Sequence, residues 1–121
     1  MKGYYVKYGY MGLAPDGNPG EPTLRVAQNK GMKTGIIATC RLNDATPVDF
    51  FGHAKSRDDE GEVAAQYVDS GINFIAGGGI RFWRNREDGR DLVAEMIARG
   101  YEFATDNEGI EAAQGDKVLA L

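Results

Sequence analysis

The chain has 121 residues, enough for one hydrophobic core, and we treat residues 1–121 as a single α/β domain. Its hydrophobic content of 42% and charged content of 26% are ordinary for a globular protein. The formal net charge of −4 argues against a nucleic-acid partner and against an anionic membrane surface, because both favour a basic protein. No apolar run approaches the ~20 residues that a membrane span needs.

Residues 1–21 predict an irregular lead-in, because glycine and proline recur throughout this stretch. Tyrosines at positions 4, 5, 8 and 10 are dense here, and we expect their rings to cover apolar surface rather than to form a ligand platform. The first residues lack the apolar stretch of a signal peptide. A helix is then predicted from Pro22 and Thr23 onward, with Gly31 as its C-cap.

Residues 35–40 form the continuous run Gly-Ile-Ile-Ala-Thr-Cys. An unbroken run rich in β-branched side chains predicts a strand that is buried on both faces, as in a parallel sheet. Cys40 is the only cysteine, so the chain has no internal disulfide. Its place in this strand predicts a buried, unreactive thiol.

The turn after this strand carries Asp44 and Thr46. Pro47 suits the first position of a helix, so Thr46 is predicted as the N-cap and Asp49 as its capping-box partner. Open α/β sheets place ligands at the carboxyl ends of strands, where a carboxylate and a hydroxyl could hold part of a magnesium shell. From spacing alone the capping interpretation is favoured, and Arg57 is favoured as a surface arginine.

The acidic run at 58–62, Asp-Asp-Glu-Gly-Glu, lacks the ligand spacing of an EF-hand, so it predicts the solvated start of a helix rather than a calcium loop. Apolar side chains then recur on one face of that helix, which is expected to end at Gly71. They are Val63, Ala64, Tyr67 and Val68.

A second buried strand is predicted at 72–76, turning at the glycines 77–79. These glycines match neither the dinucleotide fingerprint nor a P-loop, so a close-packed turn is favoured over a phosphate cradle. Arginines at 81, 84, 86 and 90 are diluted by acidic neighbours, and a solvated loop is predicted there. Further elements are a helix at 92–99, a strand at 101–104, a helix at 108–113 and a strand at 117–121.

The alternation of strands and helices with short connections predicts the α/β class, a three-layer-type sandwich around a mostly parallel sheet. Four sequence blocks then occur in a fixed order. Asp-Ala-Thr-Pro at 44–47 is followed by Phe50, His53 and Arg57, and three blocks flank it: Tyr-Gly-Tyr-Met-Gly at 8–12 with Asp-Gly at 16–17, Lys-Thr-Gly-Ile-Ile-Ala-Thr at 33–39, and Gly-Gly-Gly-Ile-Arg-Phe at 77–82.

This ordered set covers roughly the whole chain and resembles the alkaline phosphatase family. The resemblance implies a partial alkaline-phosphatase-like core and the hydrolysis of phosphomonoesters by a serine nucleophile with two zinc ions and a nearby magnesium. It implies that Asp44 and Thr46 are magnesium ligands and that Arg57 is a catalytic residue that binds phosphate in a bidentate manner. His53 is expected to be a packed or half-exposed side chain. A periplasmic or secreted location is also implied.

Other parts of such a site are missing from the sequence, which contains no Asp-Ser-Ala run and only one histidine. We therefore interpret the chain as a central fragment of an alkaline phosphatase that begins just after the nucleophile segment, with zinc ligands outside it. We expect no phosphatase activity from this chain alone, and self-association through uncovered strand edges. The alternative is a stand-alone, non-catalytic α/β module that binds a partner protein.

Overall fold

The structure is a computed structural model that describes residues 5–121. Within this part of the chain, the strands form one all-parallel sheet in the spatial order β1-β2-β4-β3. The prediction of an α/β fold around a parallel sheet is therefore confirmed. The strands are β1 (Gly35–Arg41), β2 (Phe74–Gly78), β3 (Glu102–Ala104) and β4 (Val118–Ala120).

Each helix expected from the sequence is present, with ends that differ by a few residues. Gly31 and Gly100 follow α1 and α4 with φ of 77° and 88°, a conformation that glycine adopts without a Cβ clash and that ends both helices. None of the helices formed by residues 5–121 is long and apolar enough to cross a membrane. The helices are α1 (Thr23–Asn29), α2 (Ala45–Val48), α3 (Glu60–Gln66), α4 (Leu92–Ala98) and α5 (Asn107–Ala112), with short 3-10 turns at Tyr67–Asp69 and Ile80–Phe82.

The described part of the lead-in, residues 5–21, contains neither a helix nor a strand of the sheet. Tyr5 and Tyr8 are 93% and 98% exposed, so the prediction that their rings cover apolar surface is wrong. Met11 of this segment is buried, and it also forms an isolated backbone bridge to Ala54. Residues 1–4, with the first tyrosine of the group, lie outside the described residues.

β1 is an edge strand, paired with β2 alone in this sheet. Ile36 points into the core, whereas Ile37 is 77% exposed and Cys40 is also exposed. The predictions of a strand buried on both faces and of a buried thiol are therefore wrong. The reason is positional, because β1 lies at the edge of the sheet and, within residues 5–121, only Ile36 is buried and Ala38 partly buried, while the other residues of the strand meet solvent.

β2 begins two residues later than predicted. Ile72 is fully buried, yet it precedes the hydrogen-bonded part of β2, which begins at Phe74. The residue between them, Asn73, is hydrogen-bonded to Thr34, which lies just before β1. The Thr34 N–H donates to the Asn73 side chain at 3.1 Å, and the Asn73 N–H donates to the Thr34 carbonyl at 2.9 Å. A buried apolar residue is thus part of the core without being part of the sheet, which sequence periodicity alone does not distinguish.

The main core contains a cluster of tilted aromatic rings that reaches the end of β1. The Tyr67 ring lies between Phe51 and Trp83, with ring centroids 4.1 and 5.2 Å away. Its hydroxyl donates a hydrogen bond to the Leu42 carbonyl at 2.7 Å, and burial raises the pKa of Tyr67. Burying rings of this size contributes roughly 1.5–3 kcal/mol each, so the hydrogen bond from Tyr67 attaches the segment after β1 to the main hydrophobic core.

Candidate functional site

The site turn, residues 41–57, runs from the end of β1 toward α3 and contains every predicted site residue. Asp44 precedes α2, and its Oδ1 accepts a hydrogen bond from the Ala45 N–H at 2.8 Å. Asp44 is therefore the N-cap, and the prediction that Thr46 caps a helix opening at Pro47 is wrong. The helix begins earlier because the carboxylate of Asp44, which has an extended backbone, accepts a hydrogen bond from the first N–H of the helix. Pro47 is tolerated inside the first turn, where N–H groups have no intrahelical partner.

Thr46 is the second residue of α2 and is exposed. Its hydroxyl is not needed for capping, because Asp44 performs that role through Oδ1. The second oxygen of Asp44, Oδ2, is not used by the cap either. Both predicted metal-binding side chains therefore stand in one short turn at the carboxyl end of β1, each with an oxygen that the helix does not consume.

Arg57 comes back to this turn from the other end of the segment. Its Nη2 lies 3.5 Å from Asp44 Oδ1, and its backbone N–H donates to the Gly9 carbonyl at 3.1 Å. The arginine side chain is 59% exposed and the aspartate 35% exposed. Attraction between partly exposed charges at this distance is modest, so the pair orients the guanidinium without locking it. The structure thus brings together the predicted carboxylate and the predicted arginine.

A small hydrophobic cluster holds the two halves of the site turn together. Val48 of α2, Ala54 and Val63 of α3 are buried against Met11 of the lead-in. Met11 and Ala54 exchange two backbone hydrogen bonds of 2.9 and 2.8 Å. These contacts fold the second half of the turn back toward the first, which is why the arginine reaches the carboxylate.

Glu60, the first residue of α3, also contacts the site turn, which its sequence context does not predict. Its Oε2 accepts a hydrogen bond from Asn43 Nδ2 at 2.6 Å, and its Oε1 lies 3.4 Å from Arg41 Nη2. Glu60 belongs to an acidic run that reads as a solvated helix start, and no local spacing pairs it with the residues before Asp44. Only tertiary structure reveals that this carboxylate touches the site turn.

The glycine run after β2 packs against the start of the site turn. A Cβ on Gly77 would stand 2.9 Å from Leu42 Cγ, and a Cβ on Gly79 would stand 2.9 Å from Asn43 Oδ1. Gly79 also has a φ of 99°, which L side chains rarely adopt. These positions require glycine because another segment lies directly on them, as the interpretation of a close-packed turn expects.

The arginine loop, residues 79–91, is less solvated than its composition predicts. Arg86 donates through Nη1 to the carbonyls of Gly61 and Phe82 at 2.8 and 2.9 Å. Its Nε and Nη2 bind the two carboxylate oxygens of Asp88 at 3.0 and 2.5 Å. The Arg86 side chain is only 10% exposed, so the prediction of a solvated arginine is wrong for this residue. These hydrogen bonds lower the pKa of Asp88 to about 2.

Among residues 5–121, no group of three or more His, Cys, Asp or Glu side chains is placed to hold a metal ion. His53 is exposed, and its backbone N–H donates to the Gln66 side chain at 3.0 Å. Zinc is usually bound by nitrogen and sulfur ligands, so these residues do not fit a zinc site. Magnesium takes oxygen ligands and keeps several waters, so the donors of Asp44 and Thr46 fit part of its shell.

A carboxylate, a hydroxyl and a guanidinium at the carboxyl end of a parallel strand define an α/β protein with a candidate site for a cation and an anion. The family model described as alkaline phosphatase matches residues 2–121, and the chain belongs to the alkaline phosphatase family. The likeness covers the lead-in, the sheet and the site turn alike.

Two curated relatives come from Bacillus subtilis. The chain is 30% identical to alkaline phosphatase 4 over 92% of its own length and 25% of the relative's, and 31% identical to alkaline phosphatase 3 over 88% and 24%. The chain therefore spans about a quarter of the length of these relatives.

Solved structures show the same likeness. The alkaline phosphatase of Thermus thermophilus superposes with a TM-score of 0.92 at 30% identity, covering 99% of this chain and 26% of that one. A mutant of the TAB5 alkaline phosphatase, described with Mg bound in its M3 site, superposes with a TM-score of 0.83 at 30% identity, covering 93% of this chain and 33% of that one.

Proposed function

We propose that this chain supplies the magnesium-binding turn and the phosphate-binding arginine of an alkaline phosphatase active site that hydrolyses phosphomonoesters. The observation that carries the proposal is the 3.5 Å approach of Arg57 Nη2 to Asp44 Oδ1 at the carboxyl end of β1. Ligand sites of parallel α/β sheets lie at that edge. Membership of the family supports the reaction class.

Arg57 is the phosphate-binding group in this proposal. Its contact with Asp44 involves Nη2, and most of the side chain remains exposed. A guanidinium carries five N–H donors in a planar fork, which matches two oxygens of a phosphate group. Asp44 thus holds one corner of the fork and orients it, while other donors stay available for an anion.

Asp44 and Thr46 hold magnesium in this proposal, through Oδ2 and the hydroxyl that the α2 cap leaves unused. Magnesium held by these two side chains would supply positive charge that stabilises the negative charge developing in phosphoryl transfer. Thr46 is exposed and the Asp44 side chain is 35% exposed, which leaves room for the waters that magnesium retains. The Mg-bound TAB5 structure supports a magnesium site in a related protein.

The serine nucleophile and the zinc ligands are proposed to come from outside residues 1–121, because the sequence has no Asp-Ser-Ala run and one histidine. A periplasmic or secreted location is proposed for the whole enzyme by family. Self-association of this chain is proposed through β1, where Ile37 is exposed along an edge strand. A monomer by light scattering at high concentration would contradict that last point.

The magnesium site is tested by NMR titration of the isotope-labelled chain with Mg²⁺. Asp44→Asn keeps a good helix cap but loses the charge, and Thr46→Val keeps the shape but loses the hydroxyl. We expect Mg²⁺ to shift the Ala45 amide in the wild-type chain and expect each variant to weaken the response at least about tenfold. Equal responses in all three chains would overturn the magnesium assignment.

The anion site is tested by titrating the same chain with inorganic phosphate. Arg57→Ala is expected to abolish the shift of nearby amides, whereas Arg81→Ala, which removes an exposed arginine of the arginine loop, is expected to leave it unchanged. Equal loss in both variants would indicate non-specific attraction. A chain with no response to either ion would favour the alternative of a non-catalytic, partner-binding module.

The absence of activity is a separate prediction. The purified chain, mixed with a chromogenic phosphomonoester, zinc and magnesium, is expected to show no turnover, because its residues hold neither the nucleophile nor the zinc ligands of the family. Metal-dependent turnover that disappears in Arg57→Ala would show that the chain is catalytically complete, against our proposal.

A further inference from the structure

The carboxylate of Glu60 contacts two residues at the end of β1, Arg41 and Asn43. Glu60 Oε2 accepts the Asn43 Nδ2 hydrogen bond at 2.6 Å, and Glu60 Oε1 lies 3.4 Å from Arg41 Nη2. The Arg41 carbonyl accepts a hydrogen bond from the Asp44 N–H at 3.1 Å. Arg41 and Asn43, the two residues that Glu60 contacts, therefore belong to the turn that leads into Asp44. We call this arrangement the Glu60 clamp.

The clamp also joins the two halves of the candidate site. Arg57 lies one short turn before Glu60, and that turn is tied by the Asp58 N–H to Ser56 Oγ at 3.1 Å and by the Asp59 N–H to the Ser56 carbonyl at 3.2 Å. A displacement of Glu60 relative to the end of β1 therefore moves Arg57 relative to Asp44.

Most of the clamp's strength lies in its buried arm. Asn43 is fully buried, and within residues 5–121 its Oδ1 has no hydrogen-bond partner, so the bond to Glu60 is the one that satisfies this amide. Leaving a buried amide wholly unpaired is costly. The Arg41 arm is nearly half exposed, and exposed ion pairs contribute little.

We propose that Glu60 is a positioning residue, which sets the spacing of Asp44 and Arg57 by accepting the Asn43 hydrogen bond; the role in metal binding rests on the proposed function above. Glu60 touches neither ion in this proposal. It acts through Asn43, whose backbone leads directly into the capping residue of α2.

Three variants separate the clamp from other effects. Glu60→Gln keeps the reach and an acceptor for Asn43 but loses the charge, whereas Glu60→Asp keeps the charge but is one methylene too short. Glu62→Ala removes an exposed carboxylate from the same helix and serves as the matched control. If the hydrogen bond matters more than the charge, Gln behaves as the wild type and Asp does not.

Amide hydrogen exchange of the full chain provides the first readout. In Glu60→Asp, the Asp44 and Ala45 amides are expected to exchange about tenfold faster, while the Ile75 and Leu119 amides of the central strands keep their rates. In Glu60→Gln and Glu62→Ala, all four amides are expected to stay within about twofold of the wild type. Equal acceleration at the central strands would mean general destabilisation and would overturn the proposal.

The second readout is the Mg²⁺ titration of the Ala45 amide. Glu60→Asp is expected to raise the midpoint about tenfold, and Glu60→Gln to restore it to within about threefold of the wild type. A wild-type chain without an Asp44-dependent Mg²⁺ response would refute the proposed function alone, since the exchange experiment tests the clamp independently. Wild-type exchange rates in Glu60→Asp would refute the clamp while leaving the magnesium site standing.

Discussion

The site turn and the arginine loop both carry arginines, but the two regions use them in opposite ways. Arg86 is 10% exposed and donates hydrogen bonds to two backbone carbonyls and to both carboxylate oxygens of Asp88. Arg57 is 59% exposed and approaches a single carboxylate oxygen at 3.5 Å. A cluster of arginines in a sequence therefore does not by itself locate an anion site. The relevant property is whether the fold leaves a guanidinium exposed, with N–H donors that are not already hydrogen-bonded within the protein.

The largest expected effect is on stability. Arg86→Ala is expected to lower the free energy of unfolding by about 3 kcal/mol, because the partly buried carbonyls of Gly61 and Phe82 lose their donor. Arg57→Ala is expected to change it by less than about 0.5 kcal/mol. Urea denaturation followed by the fluorescence of Trp83, the single and fully buried tryptophan, measures both.

Arg86→Lys separates charge from geometry, since it keeps the charge but loses the planar guanidinium that binds two carbonyls and a carboxylate together. We expect it to recover less than half of the stability lost in Arg86→Ala. Equal losses of stability in the alanine variants of Arg57 and Arg86 would contradict the distinction between a structural and an available arginine.

An intermediate effect is expected where the two regions touch. Gly79→Ala places a methyl group 2.9 Å from Asn43 Oδ1 at a φ of 99°, so we expect a loss of about 2 kcal/mol. Gly89→Ala is the matched control in the same loop, because its φ is 73° but no atom lies within 4 Å. There we expect only the backbone strain, about 1 kcal/mol. Equal losses would mean that contact with the site turn is unimportant.

The smallest expected effect is pH-dependent and concerns Asp88. Arg86 lowers the pKa of Asp88 from 3.8 to about 2, so this pair stabilises the folded chain at pH values above 3.8. The contribution is lost as pH falls from 3.8 through 2, when the folded carboxylate takes up its proton. The difference in denaturation midpoint between wild type and Asp88→Asn should therefore be constant at neutral pH and shrink below pH 3.8. A constant difference down to pH 2 would contradict this.

The order of helices and strands could be predicted from the sequence because the residues that end each element are recognisable locally. Gly31 and Gly100 end their helices by adopting positive φ, and the one-sided apolar pattern of α3 matches its buried Val63 and Ala64. The sequence also predicts that ligands bind at the carboxyl end of β1, because parallel connectivity dictates where strand ends meet. The roles of Asp44, Thr46 and Arg57 remain predictions.

Features that depend on distant contacts were not predictable. Edge position, not composition, exposes Cys40 in an apolar strand. The cap of α2 is Asp44 rather than Thr46, because both residues are good caps and the choice depends on where the strand ends. Glu60 reaches Asn43 only after the chain has folded back on itself, and a solvated acidic run gives no sign of it.

The tyrosine beneath the site turn has a consequence in alkaline solution. A free phenol loses half of its protons near pH ~10, whereas the buried Tyr67 has a raised pKa and keeps its proton on the bond to Leu42. Because the raised pKa belongs to the folded chain, the stabilising contribution of the Tyr67 phenol is complete below pH ~10 and is lost as pH rises above that value, where unfolded molecules ionise first. The hydrogen bond from the Tyr67 hydroxyl to the Leu42 carbonyl, just after β1, therefore persists in mild base.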